Sequence, residues 1–201
     1  MGTGKDETVL MRICMVRTLA AACGALMLVA AAAVTGPAIA AEGDAEFLES
    51  LVGQWTGSGT LRQSGEAAPE PVSCRLDVTW EEQGRTVRHA MKCLGIDLQF
   101  TAQGSLTLLD NPGTFTGTWK ASVGPDTAHA RGTRDPETDT LDLLLVSRRP
   151  QTGEEEQSAV AIRLLEGATA MSNTFRARDR ATHEVFDVLD LRFERSGQAA
   201  E

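Results

Sequence analysis

Three histidines are the residues best able to take part in chemistry, and they lie far apart at positions 89, 129 and 183. His89 shares a predicted strand face with Met91, so the two could contact a ligand or together ligate iron. An inward histidine is more often a packed residue that bonds to a neighbour or a water molecule. His183 precedes the last predicted strand and is the candidate metal or haem ligand, with an exposed turn residue as the alternative. His129 lies between two alanines and is expected to face solvent.

Large aromatic side chains and one carboxylate complete the candidate ligand-binding set. Trp55, Phe100 and Trp119 have the inward parity of their predicted strands, where they form either core or cavity wall. Asp187 interrupts the apolar alternation of the last strand. Inside a barrel it could pair with Arg163 and orient a polar head group, whereas a β-bulge would turn it outward.

The sequence carries no signature of a known catalytic site. It contains no GxSxG, HExxH or P-loop motif, and the spacing of its histidines matches no catalytic triad. We therefore expect a protein without enzymatic activity. The formal net charge is −9, which disfavours nucleic acid and anionic membrane surfaces as partners.

Residues 1–40 are predicted to be an N-terminal extension followed by a cleaved signal peptide. Two arginines precede an apolar run over residues 18–34, and Ala38-Ile39-Ala40 is a small-x-small cleavage site. A retained membrane anchor is the alternative, but the apolar run is short for about 30 Å of hydrocarbon. Residues 41–201 then form one domain that is periplasmic or secreted, with no membrane span after cleavage.

Cys74 and Cys93 are the two cysteines that remain after this cleavage. An oxidising compartment favours a disulfide between them. Alternating apolar residues indicate two strands joined by a turn at Gln83-Gly84, and counting outward from that turn places Cys74 opposite Cys93. Opposed Cβ atoms are about 4.5–5.5 Å apart, slightly more than a disulfide prefers, so local twist must bring the strands closer.

Short alternating segments separated by turn residues continue to the end of the chain. A helix is predicted over residues 44–52, with Asp44 as a possible N-cap. Alternate glycines in the first strand leave space for strong coiling or for the close approach of another segment. One short leading helix and nine or ten short strands predict an all-β protein, a single antiparallel up-and-down barrel.

The first strand also carries a family resemblance. The segment Gly53-Gln54-Trp55-Thr56-Gly57-Ser58-Gly59, placed after a short helix, resembles the GxWxGxG motif of the calycin superfamily, which includes lipocalins, fatty-acid-binding proteins and haem-binding nitrobindins. The resemblance implies a barrel whose interior holds a small, mainly apolar ligand. Nitrobindins have a further glycine where this chain has Leu61, and a histidine iron ligand whose nearest equivalent here is His183.

Three functions follow as hypotheses. The first is an exported, non-catalytic barrel that binds a small hydrophobic or amphipathic ligand and needs no cofactor. The second is a periplasmic inhibitor or interaction protein that acts through the loops at residues 63–71 and 148–157. Its acidic run at residues 154–156 would suit a basic protein partner. The third is a haem-binding, nitrobindin-like barrel that uses His183 or His89.

Overall fold

The computed structural model describes residues 38–122, 127–149 and 152–197, with side chains of the helix described from Glu42 onward. Residues 1–37, which make up nearly all of the predicted signal peptide, lie outside this part, so cleavage remains a prediction. The elements are α1 Ala38–Leu51, β1 Gly53–Leu61, β2 Glu70–Glu82, β3 Thr86–Leu94, β4 Gln99–Leu108, β5 Thr114–Ala121, β6 Ala128–Asp135, β7 Thr140–Arg148, β8 Glu155–Leu165, a 3-10 turn Glu166–Ala168, β9 Ala170–Arg178 and β10 Val185–Arg195. Within the described ranges, no helix is both long and apolar enough to cross a membrane.

Ten antiparallel strands form one closed barrel, as the strand pattern predicted. Each strand pairs with its neighbours in sequence, and β1 closes the ring against β10. The period-two alternation places apolar side chains inside, since every second residue of β2 from Val72 to Val78 is buried while the residues that alternate with them are exposed. Closure pairs both outer strands and so removes the unpaired edges of an open sheet.

The β2–β3 hairpin has the predicted register. Cys74 pairs with Cys93 and Val78 pairs with His89, and a bulge next to Glu82 adjusts the strand end before the turn at Gln83-Gly84. A disulfide joins Cys74 and Cys93, whose Cα atoms are 4.1 Å apart. β2 and β3 therefore approach each other as closely as the disulfide requires. The sequence separation of its two cysteines is 19, and closing a loop of this length stabilises the fold by about 3 kcal/mol.

The barrel has two different ends. Strand directions alternate, so the turns after β2, β4, β6 and β8 lie where α1 leads into β1. We call this the helix end. The connections after β1, β3, β5, β7 and β9 lie at the opposite end, which we call the mouth.

The helix begins earlier than its sequence pattern predicted. Since α1 starts at Ala38, Asp44 lies inside it and is not its N-cap. The buried Asp44 carboxylate instead accepts hydrogen bonds from the Gly113 N–H at 2.5 Å and from Arg134 Nη1 at 3.2 Å. These bonds join the helix to the turn between β4 and β5 and to the last residues of β6. The side chains that α1 buries in the barrel are Phe47, Leu48 and Leu51.

A second anchor holds the C-terminal end of α1. Arg195, at the end of β10, donates hydrogen bonds to the carbonyl oxygens of Ser50 and Val52 at 2.5 and 2.6 Å. The last carbonyls of a helix have no partner within the helix, so this arginine satisfies them. Its guanidinium lies 4.3 Å from the centroid of the Trp55 ring, and Trp55 Nε1 donates to the Leu51 carbonyl at 2.8 Å. α1, β1 and β10 are thereby joined at the helix end.

Alternate glycines on β1 let β10 approach closely. A Cβ atom at Gly57 would lie 2.5 Å from the Phe193 ring, and one at Gly59 would lie 1.9 Å from the Asp190 carbonyl oxygen. The close approach expected from the glycine pattern is therefore that of the neighbouring strand, β10.

Candidate functional site

A narrow cavity lies inside the barrel next to α1. Its volume is about 30 Å³, enough for about two water molecules. Leu51 contributes the helix side of the cavity, and aliphatic side chains and methionines from β2, β3, β4, β8 and β9 form most of its wall. The remaining lining residues are His89, Trp119 and Asn173. The site is therefore apolar with a few polar groups, the usual composition of a small-molecule site.

His89 and Trp119 pack against each other across β4. Their ring centroids are 4.0 Å apart and the rings are tilted by 38°. Gly104 pairs with both residues in the sheet, and a Cβ atom at this position would lie 2.8 Å from His89 Cε1. The absence of a side chain at Gly104 thus allows the two rings to meet over the strand.

The imidazole of His89 is desolvated. Its Nε2 atom is buried and, among the described residues, has no hydrogen-bond partner. Burial lowers the pKa of His89 to about 4, so the ring is uncharged at neutral pH, with one nitrogen as donor and the other as acceptor. A buried polar atom without a partner costs about 1–3 kcal/mol, which a ligand or water that bonds to it would recover.

Asn173 is a site residue that the sequence reading missed. It lies on β9, is buried, and lines the cavity. It has the same parity as Met171 in the alternating run of β9, so a polar residue at an inward position was the available signal. Buried amides are normally hydrogen-bonded, and a ligand in the cavity would lie next to the Asn173 amide, which can both donate and accept hydrogen bonds.

The structure brings three of the predicted site residues together and places two others elsewhere. His89, Met91 and Trp119 line the cavity. Trp55 is buried at the helix end, where it packs against Arg195, and it does not line the cavity. Phe100 is half-buried beside Cys93, its partner on β3, and also lies outside the cavity wall.

Asp187 points outward, which is one of the two orientations that the sequence left open, and it does not reach the cavity. The register of β10 against β9 shifts between Asp187 and Leu189, so the parity reverses and Asp187 is exposed. It pairs across the sheet with Arg176, while Arg163, its predicted partner, is exposed and donates to the Thr138 carbonyl. The bulge, which the sequence left as the alternative, decides the orientation.

His183 does not have the surroundings of a metal or haem ligand. It is exposed in the turn between β9 and β10, where its backbone N–H donates to the Asp179 carbonyl. Within the described ranges, no group of three or more histidine, cysteine, aspartate or glutamate side chains is arranged to hold a metal ion. His89 adjoins a cavity of about 30 Å³, far below the roughly 300–1,000 Å³ of cofactor pockets. The described residues therefore do not fit haem.

The acidic run at the start of β8 is paired within the chain. Glu154 bonds to Arg149 at 2.9 Å, and Glu156 bonds to Arg149 and to Arg180, the latter at 2.7 Å. The hydrogen bond from Arg149 holds the pKa of Glu156 below its usual range. Glu155 lies 3.5 Å from Arg148. Because each carboxylate has an arginine partner, the run is not the unneutralised acidic surface that the interaction hypothesis assumed.

The sequence matches no protein-family model and no curated protein. Its structure is similar to the crystal structure of Rv2717c from M. tuberculosis, with a TM-score of 0.59 and 16% identity over 75% of this chain and 95% of that chain. It is also similar to the S-type phycobiliprotein lyase CPES from Guillardia theta, with a TM-score of 0.50 and 14% identity over 81% of this chain and 98% of that chain. At these identities the likeness concerns the fold alone, and the closed ten-strand barrel fits the calycin-like barrel expected from the first-strand motif.

Proposed function

We propose that this protein is an exported, non-catalytic barrel that binds one small, mainly apolar molecule in the cavity beside His89. The observation that carries the proposal is the composition of that cavity. An apolar wall surrounds the ring of the half-buried His89, whose Nε2 is buried and has no partner among the described residues. A bound molecule would both fill the space and satisfy the nitrogen.

The two ends of the barrel suggest the direction of entry. α1 covers the helix end and is bonded there through Asp44 and Arg195. A ligand would therefore enter from the mouth, the end toward which the half-buried Trp119 lies. The cavity of about 30 Å³ is smaller than an aromatic ring requires, so the ligand must displace side chains. Met91 and Met171 are unbranched and line the cavity, which makes them the side chains that can adapt.

Export is part of the same proposal. The Cys74–Cys93 disulfide is characteristic of proteins that fold in an oxidising compartment. It agrees with the signal peptide predicted over the first 40 residues. The phycobiliprotein lyase among the similar structures is an enzyme by its name, but the cavity of this protein holds one uncharged histidine and no second acid or base among the described residues that line it.

Native mass spectrometry of the full chain, produced in a host that exports it, tests the proposal. We expect a stoichiometric small molecule to accompany the protein, or a small aromatic compound such as phenol to bind at one site when added. The matched variants are Val87→Leu, which adds a methylene group to the cavity wall, and Val146→Leu, which makes the same change on the half-buried outer face of β7.

Val87→Leu is expected to weaken binding at least tenfold, since the added group occupies much of the cavity, whereas Val146→Leu should bind as the wild type does. Equal binding by both variants would place the ligand elsewhere. A protein that carries nothing and takes up no small apolar compound would refute the proposed function.

A further inference from the structure

The cavity presents two uncharged hydrogen-bonding groups on nearly opposite walls. His89 is on β3 and Asn173 is on β9, and these strands are separated by three others around one side of the closed barrel and by five around the other. Among the described residues that line the cavity, no other side chain except the Trp119 indole carries a nitrogen or oxygen atom. A molecule in the cavity would therefore meet polar groups at two sides and apolar groups elsewhere.

The same lining lacks any partner for a charged ligand. None of the described lining residues is a lysine, arginine, aspartate or glutamate. His89 does not supply a positive charge at neutral pH, because burial lowers its pKa to about 4. A carboxylate moved into this cavity would lose its hydration without gaining an ion pair, and that exchange is strongly unfavourable.

A pure hydrocarbon would also be at a disadvantage. It could fill the space, but it would leave His89 Nε2 without a partner and would offer no hydrogen bond to the Asn173 amide that lines the same cavity. Sites that contain unpaired buried polar groups discriminate against analogues that lack the matching group.

Resting on the proposed function, we infer that the site selects small uncharged molecules that carry a hydrogen-bonding group, such as phenols, over both carboxylates and hydrocarbons of the same size. His89 and Asn173 are the residues that determine this selection. The ligand class is thus narrower than that of a general hydrophobic carrier, and it excludes fatty-acid anions with the carboxylate inside the cavity.

Three probes that share one aromatic ring test the inference: phenol, toluene and benzoate. Their dissociation constants are measured at pH 7 by chemical-shift titration of the wild-type full chain and of the variants His89→Phe and Asn173→Leu. We expect phenol to bind the wild type about tenfold more tightly than toluene and more tightly still than benzoate. Each variant should reduce the preference for phenol over toluene by about fivefold. His129→Phe, on the exposed outer face of β6, should retain the full preference.

The outcomes separate the inference from the proposed function. Benzoate binding as tightly as phenol to the wild type would overturn the selection of uncharged ligands, while binding in the cavity itself would stand. A preference for phenol that persists in both variants would remove His89 and Asn173 as its cause. Failure of all three probes to bind the wild type would contradict the proposed function and this inference together. The wild-type comparison holds even if a variant does not fold.

Discussion

His89 occupies its position because of the residues on either side of it in the sheet. Gly104 on β4 leaves room for the imidazole to contact Trp119 on β5, and Val78 is its partner on β2. None of these three neighbours can be ionised. The ring is therefore desolvated without a compensating charge, and its pKa falls from 6.5 to about 4.

This lowered pKa predicts how stability depends on pH. Between pH 6.5 and pH 4 the histidine of the unfolded chain takes up a proton while His89 in the folded protein does not. The unfolded state therefore gains stability as the pH falls through this window. We expect the free energy of unfolding of the wild type to fall by about 3 kcal/mol more than that of His89→Phe between pH 7 and pH 4. Urea titrations at a series of pH values measure this difference.

His129→Gln provides the control for the pH series. It removes an exposed histidine on the outer face of β6, so its stability should follow that of the wild type at every pH. A wild-type curve parallel to that of His89→Phe would mean that His89 takes up a proton as readily in the folded protein as in the unfolded chain, and the desolvation of its ring would be incorrect.

At the residue scale, the alternation of inward and outward positions along each strand predicted the orientation of some site residues and not of others. The period-two pattern placed His89, Met91 and Trp119 inside correctly, because their strands keep a regular register. The orientation of Asp187 could not be decided from the sequence, because a bulge before Leu189 reverses the parity of β10 and no residue in the sequence marks that bulge. Asn173 has the inward parity, but one polar residue at an inward position of a strand does not by itself indicate a binding site.

At the scale of the elements, α1 is held against the barrel by polar contacts as well as by its apolar face. The Arg134 guanidinium bonds to Asp44 and lies 5.0 Å from the Phe47 ring centroid. Phe47 in turn packs edge-on against Phe115 of β5. Asp44, Arg134 and Phe47 therefore act as one unit that joins the helix to β5 and β6 at the helix end.

Removal of the Asp44 carboxylate should loosen this unit. Asp44→Ala leaves the Gly113 N–H without its acceptor and leaves the mostly buried Arg134 with Asp139 as its remaining carboxylate. Breaking one partner of a buried pair costs several kcal/mol, so we expect a loss of about 3 kcal/mol in the free energy of unfolding. Denaturant titration measures this loss, and hydrogen exchange should show faster exchange along α1.

Asp110→Ala is the matched control. Asp110 lies in the turn after β4 and pairs with Arg85, but its side chain is 89% exposed. Exposed ion pairs contribute little, so this variant should be nearly as stable as the wild type. If both aspartate variants lost stability equally, burial of the Asp44 pair would not be what holds the helix.

The start of the helix shows why element ends were harder to predict than the strands. Asp44 before an apolar run has the sequence signature of an N-cap. Its hydrogen-bond partners Gly113 and Arg134 are far along the chain. No local sequence pattern could therefore reveal that the Asp44 carboxylate bonds to them. The β2–β3 register was predictable by contrast, because the turn and both strands lie within one short segment.

At the scale of the whole molecule, the barrel depends on closure between the first and last strands. β1 pairs with β10 from Trp55 opposite Arg195 to Leu61 opposite Leu189. The sequence predicted closure only in general terms, from the number of strands and their adjacent turns. What makes closure possible at this seam is the space at Gly57 and Gly59, where β10 approaches β1.

Gly59→Ala tests this seam. A methyl group at position 59 would lie 1.9 Å from the Asp190 carbonyl oxygen and 2.9 Å from the Leu191 Cα atom, and because both are backbone atoms they can move away only if the strands separate. We expect a loss of more than about 3 kcal/mol in the free energy of unfolding, together with aggregation, because β1 and β10 would become unpaired edges.

Ser58→Ala changes the exposed neighbour on the same strand and should leave the free energy of unfolding within about 0.5 kcal/mol of the wild type. Thermal unfolding and light scattering of both variants give the comparison. If Gly59→Ala were as stable as Ser58→Ala, β1 and β10 could not approach as closely as the structure shows, and the cavity that this closure encloses would have a different shape.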